Sequence, residues 1–169
     1  MNLEGKIEEP YRSLLEKLVE LLSTRLGDKL VSVVVYGSVA RGSARKDSDV
    51  DVLIIAESLP KSRMKRQQLF LEVEGRLEPI IDRLWNTGFY VDFSPVILSV
   101  EEASKIRPIY LDMVEDSVIL YDRGGFFSNI ILRLRERLRE LGSKRVWVKD
   151  KWYWLIKPDI RFGEVVRIE

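Results

Sequence analysis

Two carboxylates spaced two residues apart, Asp49 and Asp51, open onto the apolar run Val52-Leu53-Ile54-Ile55-Ala56. In a strand, residues i and i+2 share a face with Cα atoms about 6.5–7 Å apart, so this spacing aims both carboxylates to one side. A second apolar, β-branched run (Val31, Val33, Val34, Val35) leads through Tyr36 into Gly37-Ser38-Val39-Ala40-Arg41-Gly42. Two glycines bracketing a hydroxyl suit a tight turn whose backbone can approach an anion closely. Convergent carboxylates repel, and they resist burial unless compensated. A hard divalent cation removes that repulsion, and Mg2+ takes one or two carboxylates together with phosphate oxygens. The expected ligand is a nucleoside triphosphate with its metal, phosphates over Gly37 and Ser38 and Mg2+ on Asp49 and Asp51. A helical Ser38 to Ala44 would add free N–H groups directed at the phosphates.

Further candidates flank this pair. Arg41, Arg45 and Lys46 carry charge suited to a triphosphate; for Arg45 and Lys46 an exposed basic loop is an equal reading. Ser48 is placed to hydrogen-bond near Asp49 and orient it. Asp92 lies in Phe89-Tyr90-Val91-Asp92-Phe93-Ser94-Pro95-Val96-Ile97-Leu98, an otherwise apolar stretch read as a strand, where a carboxylate calls for a partner. It is either a strand-edge aspartate bonded near Ser94 or a third carboxylate beside Asp49 and Asp51. The second reading is favoured.

Composition narrows the chemistry. With neither histidine nor cysteine in 169 residues, imidazole bases, Ser-His-Asp catalysis, thiolate or histidine metal sites and disulfides are all excluded. Catalysis must rest on carboxylates, hydroxyls, Lys, Arg and a hard ion. Lys and Arg number 28 against 27 Asp and Glu, so net charge gives no general case for nucleic-acid binding. No apolar stretch approaches a membrane span, and Glu4, Glu8 and Glu9 do not suit a signal peptide. A cytoplasmic protein is expected.

These residues must be positioned by a core, and the remaining periodicities supply one. Leu14, Leu15, Leu18, Leu21, Leu22 and Leu26 predict a helix from Pro10 to a stop at Gly27. A helical pattern from Lys61 to Leu84 contains Pro79, which should kink or divide it. Short helices over 101–107 and 108–115, a strand over 117–121 and a helix over 126–141 follow. The fold class is α+β, a mixed four- to five-stranded sheet with helices packed mainly on one face. Residues 1–125 form the core with its N-terminal helix; 126–169 are a C-terminal helix and extension, not an independent domain. From Arg133 to Arg161 ten bases face four acids, and three of the four tryptophans lie there. Nucleic-acid or protein contact suits that composition, but a terminal strand whose tryptophans close the core ranks first.

Gly-Ser-Val-Ala-Arg-Gly, six intervening residues and Asp-Val-Asp resemble the signature of the nucleotidyltransferase superfamily that includes DNA polymerase β. The small size resembles the minimal nucleotidyltransferases of prokaryotes. Tyr153-Trp154-Leu155-Ile156-Lys157-Pro158-Asp159 is similar to a C-terminal extension of some archaeal members. The resemblance implies a palm-like core over 29–122 and Mg2+-dependent transfer of a nucleoside monophosphate, AMP from ATP foremost, to a hydroxyl of a protein or small molecule. Arg41 and Gly42 then belong to the nucleotide motif, with Ser48 supporting it, and Asp92 is a metal ligand or the base for the acceptor hydroxyl. A helical HEPN-type partner in a toxin–antitoxin pair is also implied. Nucleic acid is not the favoured partner, and a homo-oligomer is open. One alternative is a non-catalytic, antitoxin-like binding module that covers a partner through the C-terminal extension. A sugar-nucleotide transferase using Asp49 and Asp51 would require an acceptor domain absent from this sequence.

Overall fold

The computed structural model describes residues 7–149 and 151–168; Glu4 of the acidic N-terminus and Asp150 of the basic tail lie outside them. Helix α1 (Tyr11–Leu26) buries its leucine stripe against the sheet and stops at Gly27. Strands β1 (Leu30–Tyr36) and β2 (Val50–Ala56) pair antiparallel and are joined through a one-turn helix α2 (Gly37–Ala40). After β2 come α3 (Arg63–Glu74) and α4 (Glu78–Asn86). The predicted long helix is divided at Gly75–Leu77, and Pro79 sits in the first turn of α4, where its missing N–H costs nothing. Strand β3 (Phe93–Ser99) runs parallel to β2, and a Ser99/Glu102 capping box starts α5 (Val100–Ala103). Helix α6 (Pro108–Asp116), β4 (Val118–Asp122), antiparallel to β1, and α7 (Phe126–Glu140) complete the core. The sheet order is β3-β2-β1-β4.

The sheet is mixed, as expected, but helices cover both of its faces rather than mainly one. Val33, Val35, Val52 and Ile54 pack with α1 and α3, while Val31, Val34, Leu53 and Ile55 pack with α6 and α7. The physical reason is visible in β1, where all seven residues are buried: a strand covered on both sides loses polar alternation. The C-terminal segment forms a separate two-stranded hairpin, β5 (Lys144–Val148) with β6 (Lys151–Leu155). Trp154, Ile156 and Ile168 pack on the α6/α7 side of the core. One tryptophan of the tail therefore closes the core, as expected. Among the described residues no helix is long and apolar enough to cross a membrane.

Candidate active site

The site forms where β1 ends and β2 begins. Their antiparallel register sets Tyr36 opposite Asp51. Gly37 follows at φ +72°, in the left-handed region that side-chain-bearing residues rarely adopt. Asp51 lies directly against it: a Cβ on Gly37 would fall 2.1 Å from Asp51 Oδ2. Glycine is thus required twice, by backbone angle and by the carboxylate that occupies the space.

Ser38 lies within α2, whose few amides precede any intrahelical acceptor and are free to meet an anion. Helical geometry extends only over Gly37–Ala40, short of the expected Ala44. The turn closes through Gly42 N donating to Val39 O (3.2 Å) and Ser43 N to Ser38 O (3.0 Å). Ser48 closes the next turn: its Oγ accepts from Arg45 N (2.9 Å) and its amide donates to Arg45 O (3.1 Å). That turn delivers Asp49 to the start of β2.

Asp49 is exposed and Asp51 partly buried, so both remain open to solvent. Burial, then the neighbouring Asp49 charge, raises the Asp51 pKa above the ordinary aspartate range, with Arg41 pulling the other way. The three groups therefore share one electrostatic neighbourhood. Burial, then Asp51 and Asp112, pushes the Tyr36 hydroxyl up to about 12, so it stays protonated at neutral pH. Two carboxylates that repel each other, partly buried and reachable, form an oxygen donor set suited to a hard divalent cation.

Asp92 departs from expectation. It sits one residue before β3 instead of inside the strand, because residues 89–92 run as irregular chain, with Tyr90 N donating to Lys46 O (2.6 Å). Its carbonyl accepts from Val50 N (2.8 Å), so its backbone borders the carboxylate pair. Its side chain is exposed, and Asp92 Oδ1 accepts from Phe93 N (2.8 Å). On the α3 side the Asp92 charge adds to burial in raising the Glu74 pKa. Among the described residues no three acidic side chains converge as a metal-holding set. Of the two basic loop residues, Arg45 pairs with Asp47 (3.5 Å) and Lys46 lies over the Phe89 ring (5.2 Å).

Sequence reasoning did not single out Asp112 and Asp116, one helical turn apart on α6. Trp152 Nε1 donates to Asp112 Oδ1 (3.2 Å), and Arg145 pairs with Asp116 (2.5 Å). Arg41 reaches Asp116 at 3.8 Å and lies over the Trp152 ring at 4.7 Å. The available signal was the i, i+4 spacing of the two aspartates.

The family model described as nucleotidyltransferase domain matches residues 15–121, which include both strands and the turn between them. A putative protein adenylyltransferase of Methanocaldococcus jannaschii is 26% identical over 151 residues, covering 88% of this chain and 96% of that protein. The protein adenylyltransferase MntA of Thermococcus cleftensis is 37% identical over 73 residues, 43% of this chain and 67% of that one. Among solved structures, a spectinomycin adenyltransferase from Enterococcus faecialis, crystallised with ATP and spectinomycin, aligns with a TM-score of 0.50 at 12% identity. The alignment covers 77% of this chain and 66% of that one, a likeness of fold.

Proposed function

The chain belongs to the nucleotidyltransferase domain family, and from that footing we propose that it moves AMP from ATP onto a hydroxyl of a protein acceptor. The observation that carries this reading is the seating of Asp51 against Gly37, with Asp49 beside it and the Ser38 turn adjoining. The adenylyltransferase names of the two archaeal relatives support AMP as the transferred group and a protein as the acceptor.

In this reading Asp49 and Asp51 hold Mg2+, for which their oxygen donor set is suited. Bound there, Mg2+ supplies charge stabilisation to the oxygens of the displacement at phosphorus. The chain's own groups do the positioning. Gly37 lets the backbone come close to the phosphates, and the Ser38 hydroxyl and α2 amides donate to phosphate oxygens. Arg41 offsets triphosphate charge, while Gly42 and Ser48 fix the turns that carry Ser38 and Asp49. The sequence resemblance gives Asp92, whose backbone borders Val50, the role of accepting the proton of the incoming hydroxyl. The hydroxyl oxygen forms a bond to the α-phosphorus, the bond from that phosphorus to the bridging oxygen breaks, and pyrophosphate leaves. The partner proposed for the chain is a helical protein of HEPN type, which rests on the sequence resemblance.

The test is incubation with Mg2+ and ATP labelled at either the α- or the γ-phosphorus, in the presence of the protein encoded by the neighbouring gene. Label from the α-position on protein, with release of unlabelled pyrophosphate, is expected. Transfer of γ-label identifies a kinase and overturns the reading.

A further inference from the structure

The hairpin β5–β6 places Arg145, Trp147, Trp152 and Trp154 on one face, with Trp147 paired to Trp152 and Arg145 to Trp154. That face lies against α6. Trp152 Nε1 bonds to Asp112, Arg145 pairs with Asp116, and the Trp147 and Trp152 rings lean together with centroids 5.0 Å apart. Arg41, the residue immediately after α2, extends onto the same assembly. Its guanidinium sits 4.7 Å from the centre of the Trp152 ring, and that of Arg145 sits 5.7 Å from it.

The two arginines compete for one carboxylate. Arg145 holds Asp116 at 2.5 Å, whereas Arg41 stands off at 3.8 Å, beyond hydrogen-bond distance. At that distance Asp116 takes no hydrogen bond from Arg41, and the group its guanidinium lies over is the Trp152 ring. This difference matters chemically. A guanidinium held by a carboxylate spends its in-plane N–H donors on that partner, but one held by a ring keeps the donors free. Free in-plane donors are what bidentate recognition of a phosphate requires. Arg41 directly follows the Gly37–Ala40 turn, which places its guanidinium beside the end of the site where a triphosphate would lie.

We propose that the C-terminal hairpin is a working part of the nucleotide site: Trp152 is a positioning residue that shelves Arg41, and Arg145 occupies Asp116 so that Arg41 stays free for the triphosphate. This rests on the nucleotidyl-transfer reading above and extends it to a segment outside the matched family domain, which ends at residue 121. The hairpin's fixed contacts to α6 then set the affinity for the triphosphate tail.

The experiment is calorimetric titration of the full chain with Mg2+ and the non-hydrolysable α,β-methylene analogue of ATP, alongside melting midpoints. Trp152→Ala is expected to weaken binding by about five- to thirtyfold, the range for losing a partly desolvated cation–π contact. Trp152→Phe, which keeps a ring under Arg41, should stay within about threefold of the wild type. Arg145→Ala leaves Asp116 free to capture Arg41 and should also weaken binding. Adding Asp116→Asn to Arg145→Ala should restore it, an outcome that a hairpin serving stability alone does not produce. Unchanged affinity in Trp152→Ala, or no recovery on adding Asp116→Asn, overturns the proposal. If Trp152→Ala fails to fold, the Trp152→Phe and double-variant arms decide it. A wild-type chain that binds no nucleotide instead overturns the reading of the site itself, and this inference with it.

Discussion

Substituting Gly37 by alanine separates the two demands made on that glycine. Gly37 and Gly42 have nearly the same backbone angle, φ +72° and +69°. Alanine at either position carries the left-handed penalty of about 1–2 kcal/mol. They differ in surroundings. A Cβ on Gly42 meets nothing within 4 Å, whereas on Gly37 it would lie 2.1 Å from Asp51 Oδ2 and 3.1 Å from its Cγ. To reach ordinary contact at 3.4 Å the Asp51 carboxylate must retreat by about 1.3 Å, which turns it off its rotamer at about 0.5–1.5 kcal/mol. Gly37→Ala should therefore lower stability by about 1.5–3.5 kcal/mol and Gly42→Ala by about 1–2 kcal/mol. Denaturant titrations of the two variants read this difference. Because the displaced group is half of the carboxylate pair, Gly37→Ala should also reduce turnover by roughly a hundredfold, as when a charge-stabilising group is lost. Gly42→Ala should reduce it far less. In an Asp51→Ala background the steric part disappears, and Gly37→Ala should cost no more than Gly42→Ala does in the wild type. Equal stability and turnover for the two alanine variants would refute the seating of Asp51 against Gly37.

Asp49→Asn and Asp51→Asn should each lower Mg2+-dependent turnover by roughly a hundredfold or more, read by release of pyrophosphate. In the metal-free protein, Asp51→Asn removes a carboxylate whose charged form burial and Asp49 disfavour, so its melting temperature at neutral pH should rise. Asp122 accepts from Ser128 N and Oγ, Phe127 N and Ser32 Oγ, tying the start of α7 to β1; Asp122→Ala should cost about 0.5–2 kcal/mol in chemical denaturation. Burial raises the Asp122 pKa, but these hydrogen bonds outweigh it and hold the pKa below the ordinary 3.8. Its stabilisation is therefore present above that value and lost as pH falls through the lower folded one, so wild type should lose more stability than Asp122→Ala under acid titration. Glu102→Ala strips the carboxylate from the buried Arg66 and the capping partner from Ser99 N, and should destabilise by about 1–3 kcal/mol with no direct effect on nucleotide binding.

The carboxylate pair and its turn were legible because their signals are local. A period of two sets Asp49 and Asp51 on one face, and paired glycines mark a positive-φ turn. What Gly37 touches was not legible, since the Asp51 contact arises only when β1 and β2 pair. The nearly continuous apolar runs of β1 and β2, broken only by Ser32 and Asp51, already signalled burial on both faces, the fact that corrects the one-sided helix layer. Asp92 was read inside a strand because aromatic and β-branched neighbours mimic one; pairing of Tyr90 with Lys46 delays the strand to Phe93. Trp152 and Trp154 alternate with Tyr153 and Leu155, so a strand was readable. Its seat was not, because it depends on aspartates of another helix and on Arg41.

In the proposed reaction Asp49 and Asp51 together hold a hard cation beside the nucleotide. Mn2+ in place of Mg2+, titrated with the non-hydrolysable ATP analogue and followed by electron paramagnetic resonance, reads that site without turnover. Wild type should bind Mn2+ in the presence of the analogue, and either asparagine substitution should weaken binding by at least about tenfold, the loss already typical when only a ligand's supporting group is removed. A chain carrying both Asp49→Asn and Asp51→Asn that binds Mn2+ and analogue as tightly as wild type would rule out these two carboxylates as the cation's ligands.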